Sequence, residues 1–296
     1  HCRSSSDHCQ KCPAGQYQNR TGMSHCEAKK EGQTVVEQTV ILFSVATTPA
    51  LATQPGHMLW HRRLAHRSAK LLPLLEHHCR GISLPPKAPQ DDIERCDVCP
   101  AARLLHRPHP SAQRNELSSR LDSVHVFGDC CATDHVGMLP PSFYHGYRYG
   151  HIFYDLATGD AQAYGQRTKS GDESAAIAKQ YEADMAVHGT IKRYHSDGAK
   201  ELIGQEMQAY SNTKPQPHAF TWIVAEHPNF NPLAEGGFWI LFSMVRGMLI
   251  DSRLGHEPWA VAFIYASYIY RRLPKIYPRL NKVTTPYAML HDEKAK

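Results

Sequence analysis

The chain has 296 residues, with 33 Lys and Arg against 28 Asp and Glu for a net charge of +5. Hydrophobic residues make up 42% and charged residues 21%, which supports one large core or two modest ones and excludes an intrinsically disordered chain. The longest apolar runs, 40–46 and 238–245, fall short of the roughly 20 residues that cross a bilayer, so a soluble protein without a membrane partner is expected. The charge permits a polyanion partner without requiring one. Twenty histidines are a surplus, and imidazole serves as a metal ligand or an acid–base group. The first residue is His1 and not Met, so the chain reads as a fragment.

In chain order, residues 1–30 hold Cys2, Cys9, Cys12 and Cys26. Four cysteines allow three pairings, and their spacing does not choose among them. The run Cys9-Gln10-Lys11-Cys12-Pro13-Ala14-Gly15 with Gly22 and Cys26 resembles one ephrin-receptor-like cysteine-rich repeat. That resemblance implies a secreted, disulfide-held module. Asn19-Arg20-Thr21 fits the N-glycosylation pattern, which operates only in a secretory setting. Residues 31–56 read as a linker with strand character at 35–45, ended by Thr47-Thr48-Pro49.

From residue 57 the composition changes. His61 and His66 stand five apart, and after 29 intervening residues comes Cys96-Asp97-Val98-Cys99. Two imidazoles and two thiolates form a closed tetrahedral set of the kind structural zinc takes. The Cys-x2-Cys turn brings two sulfurs to one ion, and the histidines lie about one helical turn apart. A chance His pair is easy in a His-rich chain; a Cys-x2-Cys at a matched distance is not. Cys79 is left over and reads as a buried thiol. Residues 59–66 followed by Cys96 and Cys99 resemble the pre-integrase zinc module of copia-type retrotransposon polyproteins. The resemblance implies a small helical zinc-binding module at 57–112 and an integrase catalytic core at 118–296.

Three later stretches extend the resemblance. Asp134 lies in Phe127-Gly128-Asp129-Cys130-Cys131-Ala132-Thr133-Asp134-His135, and residues 149–159 read as a strand running into a turn. These resemble the first two strands of a retroviral-type integrase core, whose fold is α/β and ribonuclease-H-like. Residues 191–201 read as a strand ending at Asp197 and then a glycine turn. His227-Pro228-Asn229-Phe230-Asn231-Pro232-Leu233-Ala234-Glu235 resembles the family's loop and helix start. The resemblance implies a catalytic triad of Asp134, Asp197 and Glu235 holding two Mg²⁺ or Mn²⁺ ions. Two such ions about 3.5–4 Å apart stabilise the attacking and leaving oxygens of an in-line displacement, and carboxylate oxygens suit these hard cations. Asp197 and Glu235 have 37 residues between them, close to the spacing that names the class. Asp134 precedes Asp155 by 21 residues, the family's interval, and Asp129 is the alternative. Asp155 matches the structural acid of the second strand, and Glu201 reads as solvated.

A helix is expected from 254 through Tyr270, followed by Arg271-Arg272-Leu273-Pro274. Arg271, Arg272 and Lys275 stand in the densest basic cluster and are candidates for DNA phosphate contact. The implied activity is DNA 3′-end processing and strand transfer on element ends and target DNA, by a homo-oligomer in the nucleus. Two departures favour an alternative, a catalytically degenerate nucleic-acid-binding protein. Asn231-Pro232 replaces the family's Asn-Gly, and the apolar run 236–242 replaces polar and basic residues. A third reading, an extracellular receptor fragment, rests on residues 1–26 alone.

Overall fold

The computed structural model describes residues 16–17, 27–28, 56–67, 69–79, 84, 96–103, 124–196, 202, 204–222, 232–277 and 280–291, and only the backbone at 16–17, 27–28, 69 and 232–236. Contacts divide the chain into two units, His1–Ser44 and Val45–Lys296. In the first, β1 (Gln16–Tyr17) pairs antiparallel with β2 (Glu27–Ala28), Gln16 opposite Ala28. Cys2, Cys9, Cys12, Cys26, Asn19 and the strand expected at 35–45 lie outside the described residues.

The second unit is built on a five-stranded sheet: β3 (Cys131–Val136), β4 (Tyr149–Asp155), β5 (Ala161–Gln166), β6 (Arg193–Ser196) and β7 (Ala219–Trp222). Its order is β5-β4-β3-β6-β7. β3, β4 and β5 run antiparallel, whereas β6 and β7 join parallel to β3. This is the mixed, ribonuclease-H-like α/β arrangement expected from the sequence.

Successive strand residues point to opposite faces, and the two faces here are covered by different helices. Cys131, Phe153 and Tyr194 meet α4 (Gly171–Met185) and α5 (Gln205–Asn212) through Tyr181, Met185 and Met207. Phe153 stacks on Tyr181, ring centroids 4.3 Å apart. Ala132, Ile152 and Tyr154 meet α6 (Pro232–Ser252) and α7 (Trp259–Tyr270) through Phe238, Leu241, Phe263 and Ala266. α4 opens on a cap: the Ser170 hydroxyl accepts the Glu173 N–H, and the Glu173 carboxylate takes the N–H groups of Arg167 and Thr168.

α6 answers the two departures seen in the sequence. Pro232 is its first residue, where a missing N–H costs nothing and the fixed φ suits the helix. Its apolar side chains Phe238, Leu241, Met244 and Val245 are buried on the sheet, so the run is a core-facing stripe. Gly237 serves close approach, since a Cβ there would stand 3.0 Å from the Tyr154 ring. α7 starts at Trp259, later than expected, because residues 254–258 form a turn that Pro258 closes. Nearly every side chain of α7 is buried, as its apolar circumference requires. Among the described residues no helix is long and apolar enough to cross a membrane.

Among the described residues three short α-helices precede the sheet: α1 (Gly56–Arg63), α2 (Leu72–His78) and α3 (Val98–Arg103). Ala65, Leu72 and Leu75 belong to the same buried cluster as Leu241, Met244 and Val245 of α6. The expected boundary between module and core, 112–118, falls outside the described residues. After α7 come the hairpin β8 (Lys275–Tyr277) and β9 (Lys282–Thr284), and then α8 (Pro286–His291).

Candidate metal and catalytic centres

His61 is on α1, and the helix ends two residues later. Ala65 and His66 then take φ of 54° and 59°, a left-handed turn that L-residues adopt at a cost of roughly 1–3 kcal/mol each. The turn brings His66 N–H to the His61 carbonyl at 2.9 Å and the two rings to 5.0 Å. The pair therefore meets through a turn beyond the helix and not along one helical face. Cys96 and Cys99 arrive at the start of α3. The donor atoms of His61, His66, Cys96 and Cys99 all lie within 4.8 Å of one another.

The pairing within this cluster fits a tetrahedral ion. His61 Nε2 is 3.2 Å from Cys99 Sγ, and His66 Nδ1 is 3.4 Å from Cys96 Sγ. Nitrogen and sulfur ligands at zinc distances stand about 3.5 Å apart across a tetrahedral angle. His61 Nδ1 donates to the Arg67 carbonyl at 2.8 Å, which leaves Nε2 as the donor atom for a metal. Burial, with His66 beside it, pushes His61 down to about 4. Burial next to Cys96 raises the Cys99 thiol to about 11. Arg103 reaches the His66 carbonyl at 3.2 Å. Cys79, outside the cluster, donates to the Arg272 carbonyl at 3.2 Å.

Asp134 is on the central strand β3, opposite Ile152 of β4. It shares a face with Ala132, the side that α6 and α7 cover. Its Oδ1 accepts the His135 N–H at 2.7 Å, and it is half-buried. On the opposite face Thr133 and His151 bond at 2.8 Å, and His135 reaches Gln166 at 3.0 Å. Asp197 lies outside the described residues; β6 ends at Ser196, just before it. Glu235 belongs to the first turn of α6, and its side chain is outside the description.

Asp129 precedes β3 and is fully engaged. Its Oδ2 accepts the His125 and Val126 N–H groups at 2.9 Å, and its Oδ1 holds Lys192 at 2.7 Å. Burial alone would raise this acid, but Lys192 and the two amides outweigh it and hold it at about 2. Asp155 ends β4 as a loop anchor. It accepts from Gly128 N and Thr158 N at 2.9 Å and from Thr158 Oγ1 at 2.7 Å. Burial dominates these bonds and lifts it to about 6.

The three basic side chains expected to meet DNA all have partners inside the protein. Arg271 bonds the buried Asp160. Arg272 lies 3.6 Å over the Tyr268 ring and 4.5 Å from that of Tyr287. Lys275 donates to Tyr154 Oη at 2.6 Å. Sequence reasoning missed Asp251 altogether. Its carboxylate pairs with Arg62 and stands 3.4 Å from His66 Nε2, across 185 residues that carry no local signal. It also missed Glu182, which accepts from Tyr194, Tyr210, Lys214 and His218.

No protein-family model matches the chain. Over 221 residues, 74% of its length, it is 26% identical to the retrovirus-related Pol polyprotein from transposon TNT 1-94 of Nicotiana tabacum, and it spans 15% of that polyprotein. Similar solved structures include the simian T-cell lymphotropic virus intasome in complex with PP2A regulatory subunit B56 gamma. There the identity is 16%, the match covers 57% of this chain and 55% of that one, and the TM-score is 0.46. Another is the HTLV-2 integrase catalytic core domain in complex with magnesium, in trimeric form, at 14% identity, 56% and 98% coverage and a TM-score of 0.41.

Proposed function

We propose that this chain, retrotransposon integrase-like in sequence and ribonuclease-H-like in strand order, is the catalytic region of a DNA strand-transfer enzyme. It would trim DNA 3′ ends and join them to target DNA, as a homo-oligomer in the nucleus. One observation carries the reading: Asp134 is on the central strand, on the face that α6 covers. Two facts about the other acids support it. Asp197 follows directly on β6, the parallel neighbour of β3, and Glu235 belongs to α6. Asp129 suits the role less well, because both its oxygens are spent on a loop and on Lys192.

In this reading Asp134, Asp197 and Glu235 would hold two Mg²⁺ or Mn²⁺ ions, which when bound stabilise the attacking and leaving oxygens. The protein's own part is to hold Asp134 on a rigid strand, with the His135 amide orienting one carboxylate oxygen. His61, His66, Cys96 and Cys99 would hold a structural zinc. Arg271, Arg272 and Lys275 would meet DNA phosphate at the expense of partners they already have, Asp160, the Tyr268 ring and Tyr154 Oη.

A second reading, a protein that has lost catalysis and binds nucleic acid through other elements, is favoured by the scarcity of basic side chains on α6. Its one basic residue is Arg246, whose Nε bonds the Ala102 carbonyl at 2.8 Å. Strand transfer on a short DNA duplex separates the two readings. The wild-type chain should join ends only with Mg²⁺ or Mn²⁺, Asp134→Asn should abolish joining, and Asp129→Asn should retain it. Duplex binding without joining by the folded wild-type chain would establish the second reading, and joining by Asp134→Asn would remove Asp134 from the triad.

A further inference from the structure

Asp251 is in the last turn of α6, where the helix dipole disfavours an acid. Its partners explain its presence there. Oδ2 accepts Arg62 Nε at 2.8 Å, and Oδ1 pairs with Arg62 Nη2. The same Oδ2 stands 3.4 Å from His66 Nε2. The His66 side chain is 2% exposed, and Nε2 makes no hydrogen bond with any described residue. The other ring nitrogen, Nδ1, is turned toward Cys96. Gly247, one helical turn before Asp251, makes room for this ring: a Cβ there would stand 3.2 Å from His66 Cδ2.

We infer that Asp251 is an outer carboxylate of the metal centre, fixing His66 as a ligand through Nδ1 and tying the centre to the far end of α6. This rests on reading the four-residue cluster as a zinc site. A metal bound at Nδ1 requires the His66 proton to be on Nε2, the atom that faces Asp251. A carboxylate at that position selects this tautomer and makes the ligating nitrogen more basic. His61 uses the opposite arrangement, donating from Nδ1 to a backbone carbonyl and ligating through Nε2. The separation of 3.4 Å is within ion-pair reach, though longer than the roughly 2.7–2.9 Å of a charge-assisted hydrogen bond. Three groups then hold α6 to the zinc-bearing segment: Asp251, Gly247 and Arg246.

The test measures zinc affinity of the full chain by competition with a chelator of known affinity. Asp251→Asn should bind zinc about 10- to 100-fold more weakly than wild type. Arg62→Met removes the ion pair but keeps the acid, and should stay far closer to wild type. Cobalt-loaded Asp251→Asn should retain tetrahedral visible bands, since all four ligands remain. Nitrogen NMR of histidine-labelled, zinc-loaded wild type gives a readout that needs no variant. It should find His66 bound at Nδ1 and protonated at Nε2. No zinc binding by wild type would refute the zinc reading itself. Tight zinc binding by wild type with an undiminished Asp251→Asn, or with the opposite His66 tautomer, would overturn the inference about Asp251 alone.

Discussion

Stripping metal from the His–Cys cluster should lower the melting temperature of the second unit in a single step. The cluster is built into the main core: Ala65, Leu72 and Leu75 are buried with Leu241, Met244 and Val245. Arg246 bonds Ala102 at 2.8 Å, and Arg62 pairs with Asp251. A ligand that binds only the folded state contributes about 4 kcal/mol when present at about a thousand times its dissociation constant. A unit of this size shifts by about 2–4 °C per kcal/mol, so chelation should cost on the order of 8–16 °C. Scanning calorimetry with a strong chelator, then with zinc restored, measures this. Two separate transitions, the upper one indifferent to chelator, would refute the shared core. A melting temperature that ignores the chelator entirely would refute the metal site.

Three further outcomes follow from buried groups away from that cluster. Glu182→Gln should cost about 3 kcal/mol, since it removes one partner of a mostly buried ion pair, and the urea midpoint should fall with an unchanged slope. Burial raises Glu182, but His218, Lys214 and two tyrosines outweigh it and hold it at about 2, against 4.5 ordinarily. Its contribution is therefore present above pH 4.5 and lost as pH falls toward 2, so variant and wild type should converge in acid. Asp155 works the other way: raised from 3.8 to about 6, it makes stability fall as pH rises through that interval. Asp155→Asn should flatten that slope, seen in denaturation curves across it, and should cost about 1–3 kcal/mol because one loop amide loses its acceptor. Gly150→Ala should cost about 1–3 kcal/mol by overpacking, since its Cβ would stand 2.6 Å from the Phe263 ring and 2.9 Å from Val136; thermal melting checks this.

The sequence was most legible where chemistry is local. Cys96-x2-Cys99 and the nearby His pair are short-range patterns, and the structure brings their donor atoms together. The strand at 149–155 was also readable, because apolar residues run into a turn at Asp155, whereas the strand at 131–136 was expected only from the family resemblance. α6 was legible only in part: a helix start was expected at the end of 227–235, but Pro232 and the apolar run 236–242 read as departures from the family. Only the sheet beneath it explains a 21-residue helix with a buried stripe and a proline at its first position. Arg271, Arg272 and Lys275 read as a phosphate-facing cluster because a charge run looks the same whether its partners are solvent, nucleic acid or buried acids and rings. Asp251 and Glu182 left no trace, since their partners come from other elements and follow no periodicity.

α6 links the two proposed centres, and its composition follows from that position. Asp251 stands sixteen positions after Glu235, about 24 Å of helix. Near one end Gly237 lets the backbone approach Tyr154, and near the other Gly247 and Asp251 meet His66. A helix pressed against a sheet and the His–Cys cluster along one side needs an apolar stripe and small residues at the close contacts. The apolar run is therefore compatible with a working centre, because it is what seats the helix. What α6 lacks is basic side chains directed to solvent: its one arginine closes onto α3. In a catalytic chain the grip on DNA would then have to come from other elements, so a weak affinity for DNA would not by itself argue against strand transfer.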